Sequence, residues 1–438
     1  MSDKKKHIVL LFGMLMAGAA LMPTSMTKAA SVALSKKTMN LQKGESKILK
    51  LKNQKKKVKW TVISGKKYIT LSNKKMNSVK INAKRNGTAK VQAQAGKKKF
   101  ICKVIVSKKT SEKKIDGKSA ADVKALKKLI AEQKNLGAAV SENLDDGTQY
   151  EWGDAGVRKG KLVCINWDEK QLQGSLSLDA FDCLVELHVE NNQLTSLDVS
   201  DNEILTYLYC NRNQLTTLNL DSAKGLVYLH CTQNQLTALN LDACTKLTDL
   251  AVGHNQLQQL DLSNNTKLIR ATLSENSSLN TLDLKKNTAL VELECGMCSL
   301  TTLDVSKNLK LQRLGCMWNQ LTTLDIKGNK ELTYLDVSNN SLGNLDITGN
   351  TELLTLHCTA CKLTELNLSC NRKLQELECD INQLTTLDIS NNPELLKLVI
   401  LSNLSLTELN VTNNTKLTQI NCDPLVTVIG APAGCKVN

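Results

Sequence analysis

The stretch Leu205-Thr206-Tyr207-Leu208-Tyr209-Cys210-Asn211-Arg212-Asn213-Gln214-Leu215-Thr216-Thr217-Leu218-Asn219-Leu220 decides the fold. It holds two similar halves, Leu205-x-x-Leu208-x-Cys210 and Leu215-x-x-Leu218-x-Leu220, joined through Asn213. The same pattern returns along the C-terminal two-thirds of the chain. Its timing can be read from one polar position: Asp198, Asn219, Asn240, Asp261, Asp283, Asp304, Asp325, Asp346, Asn367, Asp388 and Asn410. The spacing is 21 residues, with two steps of 22. A turn of that size cannot bury its own apolar face, so successive turns must stack into a solenoid.

Alternation within a strand sends neighbouring side chains to opposite faces. Leu208 and Cys210 therefore point into the core, and Tyr207, Tyr209 and Asn211 point out. Asn213, Asn234, Asn255, Asn276, Asn319, Asn340 and Asn382 mark one corner, with Cys298 and Cys361 in their place in two turns. An inward amide both donates and accepts, which suits a corner whose backbone groups are buried. A second series, Asn202, Asn265, Asn287, Asn308, Asn329, Asn350, Asn371, Asn392 and Asn414, predicts a second corner and a flat, two-sided coil.

These motifs resemble the leucine-rich repeat proteins, in particular bacterial proteins with nested 21-residue repeats and, distantly, the internalins. The resemblance implies a mainly β, right-handed solenoid of about twelve turns over 161–423, with a C-terminal cap over 424–438. It also implies adhesion or host contact.

Upstream, Lys4, Lys5 and Lys6 precede an apolar run from Ile8 to Met22 and the small-residue site around Thr27 and Ala29, which predicts a signal peptide over 1–29. No later segment is apolar enough to span a bilayer, so the mature chain is expected outside the cell or on its wall. Short alternating strands separated by Lys, Gly and Asn turns fill 30–107 and predict a small β-sandwich with Trp60 in its core. Leu41-Gln42-Lys43-Gly44, Val58-Lys59-Trp60, Gly87-Thr88-Ala89-Lys90-Val91 and Cys102-Lys103-Val104-Ile105-Val106 resemble the bacterial Ig-like group 2 domain. A Lys-rich linker and a helical cap are expected over 108–160. In that cap Ser119 and Asp122 form a capping box, Val123, Leu126, Leu129 and Ile130 make the apolar face, and Gly137 ends the helix.

Charge divides the chain. Ser31–Ser107 carries 22 Lys and Arg against Glu45 alone, or +21, and residues 1–30 add four Lys and one Asp, or +3. With a whole-chain charge of +15, the remainder is 15 − 21 − 3 = −9. Diffuse basic charge suits anionic cell-wall polymers or, equally, serves only solubility, and no nucleic-acid partner is expected outside the cell. The 15 Cys do not read as a disulfide framework. Cys210, Cys231, Cys295, Cys316, Cys358, Cys379 and Cys422 share a repeat position with Val252, Leu273, Val337 and Ile400, so they read as small core hydrophobes.

No catalytic set, cofactor motif or metal site is expected. Cys295/Cys298 and Cys358/Cys361 lie three turns, or about 14 Å, apart along the stack, too far to share one zinc. The Asp series would stack like charges and exchanges freely with Asn, and neighbouring Thr217, Thr281, Thr302 and Thr323 read as solvated strand positions, so no calcium array is expected. Recognition is expected on the variable outward positions: Tyr207, Tyr209, Tyr228 and His230 as an aromatic patch, and Glu376, Glu378 and Asp380 as an acidic spot. The reading is a non-enzymatic secreted or wall-associated protein whose repeat arm binds a protein or glycan. The alternative is an envelope spacer with no specific ligand.

Overall fold

The computed structural model describes residues 32–53, 57–107 and 114–438. The expected signal peptide and most of the Lys-rich linker lie outside the described residues. The described residues fall into two units, one within Met1–Ser111 and one within Glu112–Asn438.

The first unit is a β-sandwich. Strands Ala33–Leu34, Ser46–Lys52, Ser78–Ala83 and Ile69–Ser72 make one sheet in that order, and Thr38–Gln42, Lys98–Ser107, Gly87–Ala95 and Lys59–Ser64 make the other. Alternate residues of both sheets, including Leu49, Leu51, Val79, Ile81, Val91, Cys102 and Val104, share one core with Trp60. Lysines take the outward positions between them, which is how so basic a segment still folds around an apolar centre. The assignment to Ig-like domains rests on the sequence motifs.

The second unit opens with helix Ala120–Asn135. Ser119 caps it, its Oγ accepting the Asp122 N–H at 3.2 Å, and Val123, Leu126 and Ile130 are buried. Asp122 also fastens the helix to the solenoid, since its Oδ2 accepts the N–H of Leu162 in the first strand at 3.0 Å. Gln133 exchanges two hydrogen bonds with the backbone of Gln173, so the helix is pinned near both ends. Strand Tyr150–Trp152 pairs antiparallel with Leu162–Asn166 and closes the edge of the ladder, as edge protection requires.

From Leu162–Asn166 onward a parallel ladder runs through three-residue strands such as Tyr207–Tyr209, Arg313–Gly315 and Glu376–Glu378 to Gln419–Asn421. Lys436–Val437 then pairs with Gln419–Asn421, so the segment expected only as a cap extends the ladder, and the coil is longer than twelve turns. Each step pairs like with like: Tyr207 with Tyr228, Leu208 with Leu229, Tyr209 with His230. Leu208, Cys210, Leu229 and Cys231 are fully buried. All 15 cysteines are free, and eleven of them are buried. Among the described residues, no helix is long and apolar enough to cross a membrane.

The two halves of a turn differ more than their sequences suggest. The second half pairs as strands only near the ends, in Gln173–Ser177, Gln193–Asp198 and Thr217–Asn219 and in Glu408–Asn410 with Thr427–Ile429. Elsewhere it forms no strand ladder, and single backbone bonds such as Gln256 N–H to Leu236 O at 2.9 Å join its start to the next turn beside the corner amides. The Asp/Asn timing series explains itself here. Asp198, Asp261, Asp304, Asp388 and Asn410 each accept, through Oδ1, the N–H two residues on, at 2.9–3.0 Å. That turn needs one side-chain oxygen, which Asp and Asn supply equally.

The two corner series also divide. In the first, Asn340 Oδ1 accepts the Leu321 N–H at 3.0 Å while its Nδ2 donates to Cys316 O and Val337 O at 3.0 and 2.9 Å. Asn192 and Asn403, which the sequence reading did not include, do the same. The thiols of Cys298 and Cys361 reach the matching carbonyls at 3.7 and 3.2 Å. In the second series only the donor half is used. Asn350 Nδ2 donates to Ile326 O and Asn329 O at 2.9 Å each, and its Oδ1 finds no protein donor. The expectation of an amide working in both directions, made for the first corner, holds there; the second corner uses the donor half alone. Asn340→Ala should therefore destabilise the coil by about 1–3 kcal/mol more than Asn350→Ala, the cost of stranding one further buried N–H, as measured by urea unfolding.

Candidate functional site: the outward face of the strand ladder

Every three-residue strand presents its first and third side chains outward, and the 21-residue step stacks them into columns. Tyr207 and Tyr228 lie in the first column with ring centroids 5.1 Å apart at 20°, a stacked pair. In the second column His188 stacks on Tyr209 at 4.7 Å, and Tyr209 meets His230 edge-on at 5.3 Å. The four aromatic residues singled out in the sequence thus form one cluster, extended by His188. Burial pushes the Tyr209 phenol upward in pKa, so it stays a neutral donor.

Charged residues continue the face. His230 Nε2 lies 3.0 Å from Asp249 Oδ1, and Arg270 donates from Nε to Asp249 Oδ2 at 2.6 Å. One network therefore links the aromatic cluster to the next two turns. Farther along, Arg313 donates to Glu294 Oε1 at 2.9 Å and lies 3.5 Å from the Tyr334 ring centroid. A Cβ at Gly315 would run into the Glu294 carboxylate, so glycine there lets Glu294 lie across the strand to Arg313. Asp249, Arg270, Arg313 and Tyr334 were not among the expected residues. They occupy the same column as Tyr207, and counting by 21 or 22 from that residue would have found them.

The expected acidic spot is not bare. Lys397 Nζ lies 2.6 Å from both Glu376 Oε1 and Glu378 Oε1, so its ammonium bridges the two carboxylates. Asp380 stands apart, accepting the Leu401 N–H at 2.8 Å, and burial raises its pKa. The sequence shows the acids in one strand; only the stacking brings a lysine from the next turn onto them.

Two groups on this face have the composition of metal ligands, where none was expected: Asp168, His188 and Glu190, and His357, Glu376 and Glu378. In the second, His357 Nε2 is buried and lies 3.9 Å from both Glu376 Oε1 and Glu378 Oε2, and Lys397 already compensates those carboxylates. In the first, Asp168 Oδ2 is 3.8 Å from His188 Nδ1.

The Asp336 carboxylate beside His357 holds its pKa above the ordinary histidine value of about 6.5, against the opposing effect of burial. A group more readily protonated folded than unfolded contributes stability fully below its unfolded pKa and loses it as pH rises through the folded one. His357→Gln should therefore flatten that part of the stability profile, with unfolding free energy falling less between pH 6 and pH 8, on the order of the histidine range, than in the parent chain. Urea midpoints across the series measure it.

No family model matches the chain, and no curated protein does. Solved structures do. The functional domain of InlJ from Listeria monocytogenes, which includes a cysteine ladder, is 32% identical at a TM-score of 0.58, over 61% of this chain and 62% of that one. The chain thus spans less than two-thirds of that domain. YopM from Yersinia pestis, a leucine-rich effector protein, is 23% identical at a TM-score of 0.49, covering 63% and 82% of the two chains. The internalin InlF of Listeria monocytogenes is 17% identical at 0.44, covering 64% and 89%. With its 21-residue coil and asparagine corner, the repeat arm of this chain is a leucine-rich repeat solenoid, similar in fold to the functional domain of InlJ.

Proposed function

We propose that the chain is a non-enzymatic binding protein of the bacterial surface or exterior, whose repeat arm recognises a protein or glycan through the outward strand face. The observation that carries this reading is the cluster of Tyr207, Tyr209, Tyr228 and His230, with stacked and edge-on rings on adjacent turns. Ring–ring contacts preorganise the patch, so little side-chain entropy is lost when a partner covers it, and each tyrosine keeps a polar tip for a hydrogen bond. The Glu376, Glu378 and Asp380 region supplies a second, charged contact whose bridging Lys397 tempers its acidity. The likeness of the repeat arm to the functional domain of InlJ supports this reading.

The basic sandwich complements that arm by holding the protein near anionic wall polymers through diffuse charge. Replacing Tyr207, Tyr209 and Tyr228 together with Ala in the full chain should lower retention of its surface partner by at least about 30-fold, the effect of one or two lost anchor side chains. Unchanged retention would favour an envelope spacer with no specific ligand. Binding of the full chain to purified cell wall should fall steeply as salt rises, because exposed charges more than about 10 Å apart are screened at 0.1 M. Retention that ignores salt would end the electrostatic account.

A further inference from the structure

We propose that Asp168, His188 and Glu190 form a site for a divalent first-row transition cation at the N-terminal end of the outward face. These residues come from two successive turns. Strand Leu162–Asn166 pairs with Glu186–His188, which brings the residue after Trp167 beside the pair His188 and Glu190. One ligand atom from each of the three lies within 4.8 Å of the others. Ligand atoms around a cation bound at 2.0–2.2 Å sit roughly 3–4 Å apart. The 3.8 Å between His188 Nδ1 and Asp168 Oδ2 falls in that range and is too long for a hydrogen bond.

The surroundings prepare these atoms. His188 Nε2 lies 2.8 Å from Glu186 Oε1, a partner for an Nε2–H, and Nδ1 faces Asp168. A carboxylate holding the far nitrogen of an imidazole is the outer-shell arrangement that orients a metal-binding histidine. Asp168 Oδ1 is fixed by the Glu190 N–H at 2.6 Å, which leaves Oδ2 for the cation. Glu190 Oε1 takes the Asn211 amide, which leaves its Oε2. Stacking on Tyr209 fixes the plane of the His188 ring.

Charge separates this group from its look-alike. Lys397 bridges Glu376 and Glu378 beside His357, whereas no described lysine or arginine pairs with Asp168, Glu186 or Glu190. A cleft of about 200 Å³ lined by Gln149, Cys164, Asn166, Glu186 and His188 borders the histidine. One imidazole with two carboxylates suits Mn²⁺ through Zn²⁺, and the unfilled positions would take water or an oxygen of a bound partner. The site borders the aromatic cluster through the His188–Tyr209 stack, but Mn²⁺ binding and partner retention are read separately, so either can fail without the other.

Mn²⁺ is the suitable probe, because Zn²⁺ would also seek the accessible thiols Cys370 and Cys164. Titration of the full chain followed by electron paramagnetic resonance should show one tight Mn²⁺ site. Asp168→Asn and His188→Gln should each weaken it by at least about tenfold, and His357→Gln should leave it unchanged. Thermal unfolding of each variant checks its fold, and Glu190→Gln, at a half-exposed position, gives the same readout if either of the others unfolds. No binding below millimolar Mn²⁺, or equal binding by the parent and all three ligand variants, would overturn the assignment. Loss in His357→Gln alone would move the site to the other cluster and equally refute this one.

Discussion

Each turn of this coil must change direction inside an apolar stack, and the backbone groups at that bend have no water to bond. The corner asparagine meets this constraint. One amide accepts an N–H of the preceding turn and donates to carbonyls of both turns, as Asn234 does with Leu215 N, Cys210 O and Cys231 O. Because its partners belong to two turns, the amide fixes the step between turns as well as the shape of each one. The register of the strand ladder, the alignment of buried leucines and the columns of outward side chains all follow from that step.

The same bend places one residue per turn in the left-handed backbone region: Arg212, Gln233, His254, Glu275, Met297, Trp318, Asn339, Ala360 and Ile381 among them. Such dihedrals disfavour side chains with a branched Cβ, yet Ile381 adopts φ 53°. The amide bonds on the following asparagine outweigh a local cost of about 1–2 kcal/mol. Side-chain identity at this position is thereby released from backbone preference, and the exposed edge carries Met297, Trp318 and Ile381 as readily as polar residues.

Buried thiols fit the same logic of stacked equivalence. Hydrogen bonding to Cys231 and burial raise the Cys210 thiol well above its ordinary pKa, and burial does the same for Cys295 and Cys358. Held as neutral thiols in an apolar column, they pack as aliphatic side chains do and are poor nucleophiles. At the corner, Cys298 and Cys361 make a different substitution. The sulfur supplies a weak donor to the carbonyls that an amide would otherwise reach, so the coil continues through those turns.

Much of this was legible in the sequence, because a fixed period ties each residue to an environment before any coordinate is known. The inward leucines, the capped helix at Ser119, the core place of Trp60 and the aromatic patch were all read from spacing. The period could not say which half of a turn pairs as strands, since Leu-x-x-Leu-x-Leu suits either and hydrogen-bond partners in other turns decide it. Nor could it show that Lys397 bridges Glu376 and Glu378, or that Asp168 and His188 converge. Those contacts join residues about one turn apart, and their geometry depends on side-chain rotamers packed between neighbouring strands. Period and polarity set the coil, its inward face and its outward columns; side-chain meetings across turns, where charge and chemistry reside, were settled by the stacking itself.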